Sequence, residues 1–179
     1  MGRVLIVCSS TDGQTRKICE RLRALLQGTG HAVSLAMIED QPSAPEGHAL
    51  VVVGARIRYG RTDPRVIAYA NRHAGALNAM PSAYFSVNIV ARKAGKDQPT
   101  TNPYVRKFLH AVAWRPRLAE VFAGRLDYPR YAARDRLIIR VIMWLTDGPT
   151  APDTVVEYTD WQRVDAFGAR LNRAIDAKD

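Results

Sequence analysis

Residues 3–16 read RVLIVCSSTDGQTR, a short apolar strand that runs into six small or polar residues and then into the start of a helix. Ser9, Ser10, Thr11 and Thr15 supply hydroxyls, Asp12 and Gln14 add polar side chains, and Gly13 lets the main chain come close to a ligand. The helix that follows points its positive dipole end at this loop, which suits an anion. The Lys of a G-x-x-x-x-G-K-S/T loop is missing, and so is the G-x-G-x-x-G dinucleotide fingerprint, so the loop reads as a cradle for a monophosphate. The same residues would also serve an ordinary βα turn whose Ser and Thr only cap the helix.

Working outward, alternation of strands and helices continues. The helix over 14–28 carries Ile18, Leu22, Leu25 and Leu26 at helical spacing, and Gly28 and Gly30 stop it. Strands are predicted at 31–38, at 49–55, at 82–90 and at 119–126, with a helix over 63–74 and a last helix capped by Asp160. The strand at 49–55 is apolar throughout, as expected for one buried on both faces. Strands separated by helices point to a doubly wound, five-stranded parallel α/β sheet in the order 2-1-3-4-5, a single domain over 1–179. In that order the loops after strands one, three and four meet at the switch point, where FMN is the usual owner of a monophosphate cradle. Arg58 and Tyr59 follow strand three and Ser86, Val87 and Asn88 end strand four. Tyr59 could stack on a flavin ring while backbone at 86–88 meets its pyrimidine edge, or it could be a half-buried loop aromatic.

The 179 residues carry a net charge of +9, with 47% hydrophobic composition and pI ≈ 10.0. From Arg92 to Thr146 twelve Lys or Arg face four acidic residues, so this stretch holds +8 of the excess. The two cysteines, Cys8 and Cys19, fit neither a redox pair nor a metal site and read as small buried apolar groups. The apolar start is too short for a secretory leader, and nothing is long enough to span a bilayer. About seventy residues separate the fourth strand from the last helix, roughly twice what such a frame requires, and 92–150 is read as a basic and apolar insertion. Within it a helix is predicted from Asn102-Pro103, and a second over 130–146. The second combines Arg130, Arg134, Arg136 and Arg140 with Ile138, Trp144 and other apolar residues. That pattern fits an interfacial helix on an anionic lipid surface, or else a helix packed in the core or in a homodimer. No nucleic-acid motif accompanies the charge.

The phosphate loop SSTDGQT (9–15), GARIRYG (54–60), MPSAYFSVNIVARK (80–93), TNPYVRKFL (101–109), WRP (114–116), YPRY (128–131) and YTDW (158–161) together resemble one family. It is that of the menaquinone-dependent protoporphyrinogen IX dehydrogenases of haem biosynthesis, long-chain relatives of flavodoxin. The likeness spans nearly the whole chain, though Ala132-Ala133-Arg134 stands where the family is bulkier and more aromatic. It implies FMN as sole cofactor, protoporphyrinogen IX as electron donor and a membrane quinone, menaquinone or ubiquinone, as acceptor, at the cytoplasmic face of the bacterial inner membrane. Arg92, Lys93 and Arg130 would then pair the substrate propionates, and no residue stands out as a general base. Rival readings stay open: an NAD(P)H:quinone reductase of the same fold, a plain electron-transfer flavoprotein, and a flavin-free interaction module, which a yellow purified protein would eliminate. Reduction of the bound flavin by NAD(P)H would mark the first, and the high pI argues against the second.

Overall fold

The computed structural model describes residues 1–145 and 148–177. Its frame comprises β1 (Arg3–Ser9), α1 (Gln14–Gly28), β2 (Ala32–Met37), β3 (Leu50–Arg58), the short β4 (Arg61–Thr62), α2 (Pro64–Arg72), α3 (Ala74–Ala79), β5 (Ser82–Val87), α4 (Pro103–Ala111) and β6 (Leu118–Phe122). Then come β7 (Arg125–Asp127), α5 (Ala133–Leu145), β8 (Val155–Glu157) and the closing helix α6 (Trp161–Asp176). The main sheet runs β2-β1-β3-β5-β6 with every neighbouring pair parallel, which is the expected 2-1-3-4-5 order. β4 is an antiparallel arm on the end of β3 and lies outside that count.

Alternate residues of each central strand enter two different cores, because helices cover both faces of a parallel sheet. Leu5, Val7, Val51, Val53 and Tyr84 pack with Val66, Phe108 and Trp114 on one side. Val4, Ile6, Val52 and Phe85 pack with Ile18, Leu22 and Phe167 on the other, together with the free thiols Cys8 and Cys19. Gly54 lies opposite Phe85 on the neighbouring strand, and a Cβ at Gly54 would sit 2.3 Å from the end of the Phe85 ring. Gly54→Ala should therefore overpack this face and cost about 1–3 kcal/mol. A lower urea midpoint at unchanged slope is the expected readout, and an unchanged midpoint would show that the ring can yield.

Several element boundaries differ from the sequence expectations. The strand expected over 82–90 stops at Val87, because the Asn88 side chain accepts a hydrogen bond from the Ala91 N–H and starts a short 3-10 turn over Ile89–Arg92. The strand expected over 119–126 is two strands. Thr159 Oγ1 donates to the Ala123 carbonyl and the Tyr158 N–H to the Gly124 carbonyl, so the chain leaves the main sheet there. β7 then pairs antiparallel with β8. The helix expected over 63–74 closes at Arg72, and α3 follows it. The helix expected over 130–146 begins at Ala133; Thr146 lies outside the described residues. Within 92–150, α4 and β6 belong to the main frame, whereas β7 and α5 stand outside it around a small core of Leu126, Tyr128 and Met143. No helix among the described residues is long and apolar enough to cross a membrane.

Candidate functional site

One cleft opens at the carboxyl ends of β1, β3 and β5, where the sheet order reverses. Its first wall is the loop into α1. Gly13 sits at the N-cap with φ +89°, a conformation that excludes most side chains, and a Cβ there would meet nothing within 4 Å. The N-cap residue Gly13 has no side chain to cap α1 and the first turn holds no acidic residue, so its leading N–H groups face the loop with little competition. The Arg16 N–H makes a long 3.4 Å bond to Ser10 Oγ. Thr11 and Asp12 are exposed, Ser10 is half-buried and Thr15 is buried. The Gln14 side chain is committed elsewhere: its amide donates to Glu157 Oε1 at 3.1 Å and to Thr159 Oγ1 at 2.9 Å, bracing the loop against the lead-in to α6.

Beneath the loop, Asp63 ties two strand ends together. Ser9 Oγ, at the end of β1, donates to Asp63 Oδ2 at 2.7 Å, and Arg56, on β3, lies 3.5 Å from the same oxygen. Asp63 also caps α2 through the Arg65 N–H and takes the Arg65 guanidinium at 2.7 Å. Burial alone would raise its pKa, yet the hydrogen bonds from the Arg65 side chain, Ser9 and the Arg65 N–H outweigh it and hold the carboxyl well below the usual range.

The second wall is the turn after β3. Tyr59 adopts φ +50° and Gly60 φ +71°, and the Tyr59 side chain stands half out into solvent. Arg58 lies against it, its guanidinium carbon 5.2 Å from the ring centroid. Both residues donate to the carboxylate of Asp135 in the first turn of α5.

The third wall is the end of β5. Val87 and Asn88 line the cleft, but Ser86 is fully buried behind it and accepts a hydrogen bond from Asn88 Nδ2 at 3.1 Å. Asn88 in turn pairs with Asn102, the N-cap of α4, whose Nδ2 donates to Asn88 Oδ1 at 3.2 Å. These side chains are committed to one another and fix the shape of the loop, whose main chain the Asn88 N–H holds to the Phe122 carbonyl.

The remaining wall, from Arg125, Leu126, Asp127 and Tyr131 to Ile139 and Ile142, comes from the stretch after β6, and Tyr104 adds an aromatic from α4. The sequence marks Ile139 and Ile142 only as part of the apolar run over 137–145 and does not point to the others, although the YPRY segment marks the neighbourhood. The buried Nε atoms of Arg56 and Arg125 have no hydrogen-bond partner, and both residues line the cleft. Uncapped helix N–H groups, hydroxyls and unsatisfied arginine nitrogens together suit a phosphate-bearing ligand.

The residues named for substrate propionates divide between two places. Arg130 lines the main cleft, while Arg92 and Lys93 line a second cavity of about 340 Å³ with Asp97, Tyr158 and Arg163. On α5, Arg136 does not face outward, since its guanidinium donates to the carbonyls of Tyr128 and Tyr131 at 3.1 and 3.3 Å. Ile138 is half-buried, and the exposed apolar face is Leu137, Val141, Trp144 and Leu145, flanked by exposed Arg134 and Arg140.

The flavodoxin domain family model matches residues 5–153. A protoporphyrinogen IX dehydrogenase (quinone) of Escherichia coli strain K12 is 42% identical over 97% of this chain and 97% of that protein. A protein of the same name from Leishmania major is also 42% identical, over 93% of this chain and 73% of its own length. Among solved structures, oxidised flavodoxin 1 from Bacillus cereus superposes with a TM-score of 0.56 at 13% identity, covering 96% of this chain and 97% of that one, which speaks to the fold. The chain thus belongs to the flavodoxin-domain family and, within it, to the protoporphyrinogen IX dehydrogenase (quinone) family.

Proposed function

We propose that this protein oxidises protoporphyrinogen IX to protoporphyrin IX in haem biosynthesis, with FMN as cofactor, and passes the electrons to a membrane quinone, menaquinone or ubiquinone. The observation that carries the reading is the extent of the likeness: 97% of the chain matches, from the phosphate loop through the added β7, α5 and β8. The geometry supports it. The leading N–H groups of α1 with Ser10, Thr11 and Thr15 would hold the FMN phosphate, and Tyr59 with the backbone at Val87 and Asn88 would hold its ring. Bound flavin supplies two-electron acceptance from the porphyrinogen and return of those electrons to quinone. The chain's own part is to bind and orient, while Ile139 and Ile142 of α5 close one side of the cleft with apolar surface.

Both electron partners are apolar enough to reside in a bilayer, and the outer face of α5 suits that location. Leu137, Val141, Trp144 and Leu145 form one exposed apolar stripe beside Arg134 and Arg140. The protein would therefore sit peripherally on an anionic lipid surface, the cytoplasmic face of the bacterial inner membrane.

Anaerobic mixing with protoporphyrinogen IX should bleach the flavin, and added quinone should restore its colour. An absence of bleaching would remove this reading, and bleaching by NAD(P)H instead would replace it with a reductase. For the phosphate site, Gly13→Val should force the N-cap out of its positive φ and misdirect the helix N–H groups. Each buried hydrogen bond lost to the phosphate removes roughly 1–3 kcal/mol, so FMN affinity should fall by about tenfold or more in a fluorescence titration. Equal affinity in variant and parent would remove the phosphate from this loop.

A further inference from the structure

We propose that Arg58 and the Tyr59 hydroxyl form a receptor for a carboxylate of the substrate, and that Asp135 is its internal occupant, which gives way when a substrate propionate enters. This rests on the porphyrinogen reading of the cleft and adds to it the residues that would read the substrate's acid groups.

The contact itself has the form of carboxylate recognition. Arg58 Nη2 donates to one oxygen of Asp135 and the Tyr59 hydroxyl to the other, so two adjacent residues at one strand end read both oxygens of a single group. The receptor is prepared before any ligand arrives, because the Arg58 guanidinium rests on the Tyr59 ring and the β3–β4 pairing of Arg58 with Arg61 fixes the turn. All three side chains line the same cleft as the phosphate loop. The receptor is also open to exchange, since the Arg58 side chain is 37% exposed and that of Asp135 17%.

The occupant is chemically a stand-in for a propionate. Hydrogen bonding from Tyr59, with the nearby Arg58 charge, holds the Asp135 carboxyl below its usual range, so it is ionised wherever a propionate would be. It is carried by the first turn of a helix that stands outside the main sheet. Met143 is the buried residue of α5, and the apolar stripe on the far side of that helix is exposed. A porphyrinogen carries two propionates, and Arg130 lines the same cleft for the second.

The test uses the full chain saturated with FMN and a porphyrin that cannot reduce it. Protoporphyrin IX and its dimethyl ester are titrated in detergent micelles, and binding is read from porphyrin fluorescence. Asp135→Asn should tighten the diacid severalfold, because it removes a charged competitor, and should leave the ester unchanged. Arg58→Gln should weaken the diacid by about tenfold or more and leave the ester unchanged. Tyr59→Phe should do the same to a smaller degree, and Asp135→Asn combined with Arg58→Gln should match Arg58→Gln alone. Equal effects on acid and ester, or weaker diacid binding in Asp135→Asn, would overturn the receptor. The catalytic reading is scored separately by flavin bleaching with protoporphyrinogen IX in the parent. Acid-over-ester discrimination without bleaching keeps the receptor and removes the reaction. Bleaching without discrimination removes the receptor alone.

Discussion

Asp63→Ala should lower stability by about 2–4 kcal/mol and release FMN, although residue 63 is itself nearly inaccessible to a ligand. The Asp63 side chain is 2% exposed and serves the ends of β1 and β3 and the start of α2 at once. Truncation strands the Ser9 hydroxyl in a buried position, removes the cap of α2 and leaves Arg56, whose Nε already lacks a partner, without its carboxylate. For a chain of this size the loss should appear as a melting temperature lower by roughly 5–15 °C. FMN affinity should fall with it, because Ser9 is the residue from which the phosphate loop departs. Asp63→Asn keeps the cap acceptor and the shape, so it should retain part of the stability and report the charge alone. The folded pKa of Asp63 is depressed, so its charge stabilises the native state fully above about pH 4 and progressively less as pH falls below that. The stability gap between parent and Asp63→Asn, from urea denaturation, should therefore be constant from pH 7 to about pH 5 and narrow toward pH 3. A gap that widens in acid, or no gap at pH 7, would show that Asp63 is a cap and nothing more.

What could be read from the residues alone follows from how local the cause is. The turn from β1 to α1 was legible because an apolar run, a hydroxyl cluster and Gly13 are contiguous, and each acts on its own neighbours. Sheet order was legible because continuously apolar strands separated by helices leave few parallel arrangements. The break after Phe122 was not, since 119–126 has strand-like composition throughout and the groups that capture the Ala123 and Gly124 carbonyls come from Tyr158 and Thr159. Asn88 reads in isolation as a small polar loop residue, and only the arrival of Asn102 at the start of α4 turns it into a brace. Asp63 before Pro64 carries a helix-start signature, yet its reach to Ser9 is a matter of sheet packing. The helix over 133–145 showed the opposite difficulty. Residues 137–145 are apolar at every position but Arg140, so periodicity does not choose an outward face; the structure leaves Ile138 half-buried and engages Arg136 with the Tyr128 and Tyr131 carbonyls.

Leu137→Asp combined with Trp144→Asp should abolish lipid attachment while leaving FMN bound. Leu137 is 65% and Trp144 72% exposed, so neither change opens a cavity in the small core around Met143, and the folded protein should survive both. On a bilayer those two side chains would each contribute about 1.5–3 kcal/mol of burial, so losing both should reduce partitioning on the order of a hundredfold or more. Arg134 and Arg140 contribute a different kind of attraction, on the order of 1 kcal/mol each near anionic headgroups, which salt screens and burial does not need. The two contributions should therefore separate in flotation with anionic liposomes. High salt should release the parent only in part, and the double variant should stay in the aqueous fraction at every salt concentration. Neutral liposomes should hold the parent more weakly than anionic ones. Quinone-dependent reoxidation in vesicles should slow with detachment, while flavin bleaching by porphyrinogen in detergent should not, because the cleft lies on the other side of α5, where Ile139 and Ile142 line it. Gel filtration of the parent and the variant distinguishes the alternative. If the parent is a dimer that never floats, and the double variant is a monomer, the stripe is a surface for a second copy of the chain and the lipid reading falls.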